Sequence, residues 1–243
     1  MIKEDFVSVL ALSDIHWNFP YITDLPECDI FLYCGDWSGA GKLSETLNFL
    51  TWLSNVNAKH KIIIPGNHDC AAYNISQGLI KDECKKLGIT MLIDESITCC
   101  HIPIYGTPWS PRFGDWVYMR PDDALYDYFK NIPYGTKILL THTPPYGILD
   151  LSGAEHIGSK SLLKVIKKKY IPFHFFGHNH TFGKVVQRNS GNVRRFYNVS
   201  VCDNDYNITN IFKPILLSVR YDDETGECKS VKLIEDKKKR GII

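Results

Sequence analysis

The sequence predicts an α/β fold, and three observations carry that reading. Short β-branched and aromatic runs recur along the 243 residues, the longer intervals between them carry helical periodicity, and the runs end beside a histidine or an acid. In open α/β sheets, ligands bind at such strand ends. The run Lys61 to Ile64 is the plainest case. It passes through Pro65-Gly66 into Asn67-His68-Asp69, three neighbouring side chains able to bind a metal, donate a proton or orient one.

In chain order, Val7 to Leu12 reads as a first buried strand, followed at once by Ser13-Asp14-Ile15-His16. In extended backbone, residues two apart point to the same side, so Asp14 and His16 can close on one ion. Ile30 to Cys34 is a second strand and runs into Gly35-Asp36. An amphipathic helix from Leu43 to Val56, with Leu47, Leu50 and Leu53 at helical spacing, crosses over to the third strand at Lys61 to Ile64. The β-loop-helix-β units therefore bring Asp14/His16, Asp36 and Asn67/His68 to one edge of a parallel sheet.

A second helix is expected from Ser76 to Leu87, stopped by Gly88, with short strands at Ile89 to Ile93 and Ile97 to Cys100. The prolines of Ile102 to Pro111 argue for an irregular loop, crowded by Trp109, Phe113, Trp116 and Tyr118. Aromatics in such a loop are core staples more often than ligand platforms, but an indole can stack on a nucleobase, and Trp109 is the substrate-binding candidate among them. After a helix from Asp122 to Lys130, a strand from Lys137 to Thr141 ends in His142-Thr143-Pro144-Pro145. A helix from Lys160 to Lys169 then leads to a strand from Pro172 to Phe176, ending in Gly177-His178-Asn179-His180.

Composition excludes several classes of function. Length and the lack of a linker predict one domain over residues 1–243. A formal net charge of +1 gives no general attraction to a nucleic-acid polymer. Lys167 to Lys169 read as the solvated end of a helix and Lys237 to Arg240 as a tail. No basic-then-apolar leader and no run of about 20 apolar residues is present, which predicts a cytoplasmic protein without a membrane span. Eight cysteines without C-x-x-C spacing read as reduced, mostly buried thiols.

Five of the nine histidines, His16, His68, His142, His178 and His180, directly follow apolar strands. Together with the acids they form the ordered series Asp14-x-His16, Gly35-Asp36, Gly66-Asn67-His68-Asp69, His142 and Gly177-His178-x-His180. This series resembles the signature of the calcineurin-like metallophosphoesterases. Through Ile104 to Pro111 and Leu139 to Pro145 it is most similar to the metallophosphoesterase-domain brain proteins and the class III cyclic nucleotide phosphodiesterases.

The resemblance implies a four-layer αββα fold, two mixed β-sheets packed as a sandwich and flanked by helices. Gly183 to Gln187, Val193 to Val199, Ile215 to Tyr221 and Ser230 to Ile234 are available for the second sheet. It implies two divalent metal ions, one held by Asp14, His16, Asp36 and His180, the other by Asp36, Asn67, His142 and His178, with Asp36 shared. The mixed donors suit Mn, Fe, Zn or Co better than Ca without choosing among them; manganese is the ion expected first, with Fe, Zn, Co or Mg open. The implied reaction is hydrolysis of a phosphodiester in a small nucleotide or cyclic nucleotide, by a metal-bridging hydroxide. His68 would be general acid, with Asp69 either its orienter or a turn cap, and Asn67 and His68 would contact the substrate phosphate.

The alternatives are a phosphomonoesterase or protein phosphatase, or a non-hydrolytic, metal-braced interaction protein. Ser/Thr phosphatases of this superfamily read G-D-x-x-D-R-G where this chain has Gly35-Asp36-Trp37-Ser38-Gly39-Ala40-Gly41, without the second aspartate or the arginine. Some members near the brain proteins lack the first histidine of the last block. His178 is present here, which implies two complete ion positions. Oligomeric state and natural substrate are open at this point.

Overall fold

The computed structural model describes residues 1–73, 76–181, 186–188, 194–209 and 213–234. Strands β1 (Ile2–Leu12) and β2 (Cys28–Cys34) are followed by helix α1 (Leu43–Ser54), β3 (Ala58–Ile64), α2 (Ser76–Lys86) and β4 (Ile89–Met91). Next come β5 (Glu95–Cys99), β6 (Ile102–Thr107), α3 (Asp122–Phe129), β7 (Ile138–Thr141), α4 (Lys160–Lys168) and β8 (Phe173–Phe176). Four strands finish the described chain: β9 (Val186–Arg188), β10 (Arg195–Asn198), β11 (Ile215–Asp222) and β12 (Cys228–Leu233). Two-residue strands form small ribbons, 110–111 with 119–120 and 151–152 with 155–156.

The long strands make two mixed six-stranded sheets, in the orders β12-β11-β1-β2-β3-β4 and β9-β10-β8-β7-β6-β5. Strands β1 to β4 run parallel, with Val9 beside Ile30 and Leu32 beside Ile62. Strands β6, β7, β8 and β10 are likewise parallel to one another. Val9, Ile30, Ile62 and Ile64 belong to the apolar core that extends into the space between the sheets. The two sheets approach so closely that a Cβ on Gly106 of β6 would stand 2.6 Å from Ile64 Cγ2. That contact leaves room only for glycine.

Helices cover the outer faces. Helix α1 buries Phe49, Leu50 and Leu53 against the first sheet, where Phe49 stacks on Trp37 with centroids 5.2 Å apart. Leu47, expected on that face, is 39% exposed, and Phe49 takes its place. Against the second sheet, α3 contributes Leu125 and Phe129, and α4 contributes Leu162, Val165 and Ile166. The expected αββα layering is present. No helix among the described residues is long and apolar enough to cross a membrane.

Three expectations need correction. Ile102–Thr107 is a buried strand rather than a loop. Pro103 is tolerated because it sits one residue into the strand, and its carbonyl still accepts from the Lys137 N–H at 2.9 Å. Second, Ile215–Asp222 and Cys228–Leu233 extend the first sheet, not the second: β11 runs antiparallel to β1 from Ile2↔Asp222 to Val9↔Ile215. The parallel units leave that edge of β1 open, and a C-terminal hairpin closes it. Of the other segments proposed for the second sheet, Arg195–Asn198 joins it, whereas 183–185 lie outside the described residues.

Third, Lys169 is not solvated. It is 8% exposed, and its ammonium donates to the carbonyls of Lys130 (2.6 Å) and Ile132 beyond the end of α3. Lys237 to Arg240 lie outside the described residues. All eight cysteines are free thiols, five of them buried.

Candidate active site

The loops after β1, β2, β3, β7 and β8 meet at the carboxyl ends of those strands. Left-handed backbone at Asp14 (φ 56°), His16 (φ 44°), Asp36 (φ 59°) and His178 (φ 67°) turns these side chains inward. Such conformations are costly for residues other than glycine, and they persist only where neighbours hold them. Here the Asp14 N–H donates to the Gly35 carbonyl (3.0 Å), the His16 N–H to the Asp36 carbonyl (3.1 Å), and the His178 N–H to the Asp14 carboxylate (3.0 Å). The last bond joins the two sheets. Gly66 and Gly177 are obligatory for space, since a Cβ on Gly66 would overlap the Asp36 carboxylate and one on Gly177 the Asp14 carboxylate.

Eight side chains named from the sequence come together. One group is Asp14, His16 and His180, a second is Asp36, His142 and His178, and Asp36 also groups with His16 and His68; within each, the ligand atoms lie within 4.8 Å of one another. Asn67 completes the set through its Oδ1, 2.9 Å from His142 Nε2. Asp36 Oδ2 lies between the two clusters, 3.2 Å from His142 Nε2 and 3.8 Å from His16 Nε2.

The imidazoles are oriented from behind. Nδ1 of His16 lies 3.2 Å from the Ser38 carbonyl, Nδ1 of His142 2.8 Å from the Cys34 carbonyl, and Nδ1 of His180 3.1 Å from the Asp203 carbonyl. A carbonyl can only accept, so each Nδ1 carries a proton and each ring, when neutral, presents its Nε2 lone pair to the cavity; in the ion-free chain His142 holds a second proton, on the Nε2 that faces Asp36. His16 Nε2 and His180 Nε2 then face each other 3.2 Å apart, acceptor against acceptor. A divalent cation resolves that arrangement, and backbone carbonyls behind ligating histidines are the usual outer support of a metal site. The residues fit a dinuclear centre of nitrogen and oxygen donors.

Electrostatics agree. Burial opposes ionisation of Asp36, but His142, His16 and His68 hold its carboxyl well below the usual carboxylate range. Burial likewise opposes a charged His142, yet Asp36 raises it to about 9 in the ion-free chain. Burial lowers His16 to about 4 and His178 to about 3, and also lowers His174, outside the cluster, to about 3.

These shifts predict how the metal-free protein responds to pH. Below the ordinary histidine value of 6.5 the unfolded chain protonates His16, His174 and His178, whereas the folded chain does not until about 4 or below, so stability falls as pH falls. Above 6.5 the folded chain keeps the His142 proton, which the unfolded chain loses, so that contribution fades as pH rises through about 9. Thermal unfolding without metal should peak near pH 6.5. Metal should flatten the alkaline limb, because the ion replaces the proton on His142.

His68 stands at the rim. Its N–H donates to Asp36 Oδ1 at 2.8 Å, its Nδ1 meets the Gly39 carbonyl at 2.8 Å, and its ring stacks on Trp116 at 4.1 Å. Asp69 is not its orienter. The Asp69 oxygens accept from the N–H groups of Gly66 (2.7 Å), Asp36 (2.8 Å) and Ser38 (3.0 Å) and from the Ser38 hydroxyl (2.9 Å), which locks the loops after β2 and β3 together. Burial and the Asp36 charge push its carboxyl up to about 8. N–H groups cannot accept, however, so the ionised form is the one these bonds suit.

The cavity above the cluster holds about 270 Å³ and is walled by Phe113, Trp116 and Tyr206 as well as the histidines. Trp109 is absent from it. The Trp109 indole is 7% exposed, donates to Asp94 at 2.7 Å and packs on Tyr118 and Tyr128. Phe113 and Trp116, 51% and 39% exposed, occupy the position expected for it. Tyr206, edge-on to His16 at 4.7 Å, had no signal in the sequence beyond its being aromatic.

With this fold and constellation, the chain belongs to the calcineurin-like phosphoesterase family, whose profile matches residues 7–182. It is similar to UPF0046 protein K07C11.7 of Caenorhabditis elegans, 30% identical over 82% of this chain and 71% of the relative. It is also similar to human Metallophosphoesterase domain-containing protein 1, 29% identical over 88% of this chain and 71% of the relative. In fold it resembles the solved structure of TT1561 of Thermus thermophilus, with a TM-score of 0.52 and 14% identity over 95% of this chain and 100% of that one.

Proposed function

We propose that the chain is a two-metal phosphodiesterase acting on a small nucleotide or cyclic nucleotide. The observation that carries this reading is the convergence of imidazole nitrogens, two carboxylates and an amide oxygen beneath a cavity walled by aromatic rings. Asp14, His16, Asp36 and His180 hold one ion and Asp36, Asn67, His142 and His178 the other, with Asp36 shared. When bound, the ions supply Lewis acidity, drawing charge from the phosphoryl oxygens and making the attacking water acidic. The donor set suits Mn, Fe, Zn or Co, and manganese is the ion we propose for loading.

The protein's own residues do the rest. His68 stands beside the cluster with its Nδ1–H donated to the Gly39 carbonyl, so the imidazolium form gives its Nε2 proton to the departing oxygen and is left as the neutral ring. Asp69 acts at one remove, holding the backbone of Asp36 and Ser38 in place. Trp116 and Phe113 offer flat faces to a base. The net charge of +1 supports a small substrate over a polymer, and eight free thiols support a reducing, cytoplasmic compartment.

The test is turnover of bis-p-nitrophenyl phosphate against p-nitrophenyl phosphate by the manganese-loaded protein, followed by a panel of 2′,3′- and 3′,5′-cyclic nucleotides, dinucleotides and phosphopeptides. Faster diester hydrolysis and a nucleotide substrate are expected; preference for the monoester or a phosphopeptide would overturn the reading. Stacking on an aromatic contributes about 1–3 kcal/mol per base, so Trp116→Ala should raise the KM for the nucleotide about tenfold and leave kcat nearly unchanged. An unchanged KM would remove Trp116 from the substrate site.

A further inference from the structure

The candidate active site uses one end of the sandwich, and a second set of ligating side chains lies at the other. His60 is near the start of β3 and pairs with Ile30 of β2. Alternation along the strand puts it on the same face as Ile62 and Ile64, the face turned towards the second sheet. Opposite it, the hairpin of β5 and β6 closes at Cys99↔Ile102. Its two turn residues, Cys100 and His101, both have positive φ, 48° and 62°. Asn-Gly normally fills such a turn. Here the turn places Cys100 beside Cys99.

The His60 imidazole and the thiols of Cys99 and Cys100 offer ligand atoms within 4.8 Å of one another. The two sulfurs are 4.0 Å apart. Two thiolates on one tetrahedral zinc, with Zn–S near 2.3 Å, lie about 3.8 Å apart. A disulfide needs about 2.05 Å. The spacing therefore suits a shared ion without further movement. Cys99 is buried, Cys100 half-buried and His60 exposed, so an ion can enter from solvent and keep a water at its fourth position.

We propose that His60, Cys99 and Cys100 form a binding site for one thiophilic cation, zinc foremost, which ties the two sheets together at the end remote from the active site. Imidazole and two thiolates are a soft donor set, unlike the nitrogen and oxygen donors of the dinuclear cluster, so the two sites select different ions. Binding releases the two thiol protons to solvent.

Among the described residues this is the only such group that contains sulfur, which makes it separately observable. Cobalt(II) should give a sulfur-to-metal charge-transfer absorption in the full-length protein. Cys100→Asn should lose it while folding normally, because asparagine is well suited to the positive φ. His60→Ala, at an exposed position, should weaken it several-fold. Both variants should hydrolyse phosphoesters at the unaltered protein's rate. Cobalt uptake without the absorption, an undiminished absorption in Cys100→Asn, or a Cys99–Cys100 disulfide in freshly isolated protein would each overturn the proposal.

Discussion

Asp36→Asn should lose metal and turnover together. Asp36 Oδ2 lies within 3.2 Å of His142 Nε2 and 3.8 Å of His16 Nε2, between the two ligand clusters, while Oδ1 fixes the His68 N–H. Asparagine keeps the shape but removes the buried negative charge and turns an NH₂ group towards one of these partners. Removing even an outer partner of a metal ligand costs about 10- to 100-fold in affinity or activity. Loss of the shared ligand should exceed the upper end of that range, with metal content falling in parallel by elemental analysis. Lost activity with both ions retained would make Asp36 a reacting group rather than a ligand, and loss of neither would remove it from the site.

His68→Ala should behave differently. Metal content should be unchanged, since the ligand in that loop is the neighbouring Asn67. Proton donation contributes about 10²- to 10⁴-fold, so the rate should fall by that factor for a nucleoside-alkoxide leaving group. For p-nitrophenolate, which departs as an anion, the loss should be much smaller. Equal losses on both substrates would mean that His68 chiefly positions the phosphate, and loss of an ion would mean that it is a ligand.

The convergence of the candidate ligands was legible in the sequence because its chemistry is local. Each ligand follows a β-branched or aromatic run and a sharp turn, so strand, turn and donor are contiguous, as in Ile62-Ile63-Ile64-Pro65-Gly66-Asn67. Pairing between distant segments is not written locally. Nothing within Ile215–Asp222 says that it closes the open edge of β1, and Pro103 within Ile102–Thr107 and Pro108 after it conceal a strand whose burial depends on both its neighbours.

The substrate wall is not legible in the sequence for a related reason. Trp109, Phe113 and Trp116 are equivalent in sequence, and only the position of Asp94, which accepts the Trp109 indole N–H, draws Trp109 into the core and leaves the other two at the cavity. Adjacency of Asp69 to His68 in sequence does not reveal that four donors, three from the loop after β2 and one from its own turn, already occupy its oxygens. In Lys169, a run of three lysines hid one whose ammonium reaches two carbonyls beyond the end of α3.

The most direct test of the central claim is a manganese titration of the metal-free protein, with bound metal and hydrolysis of bis-p-nitrophenyl phosphate followed on the same samples. Two manganese ions per chain are expected in the cluster, with turnover that rises only as the second binds. A single ion at saturation, or two bound ions with no turnover of any phosphoester, would contradict that claim.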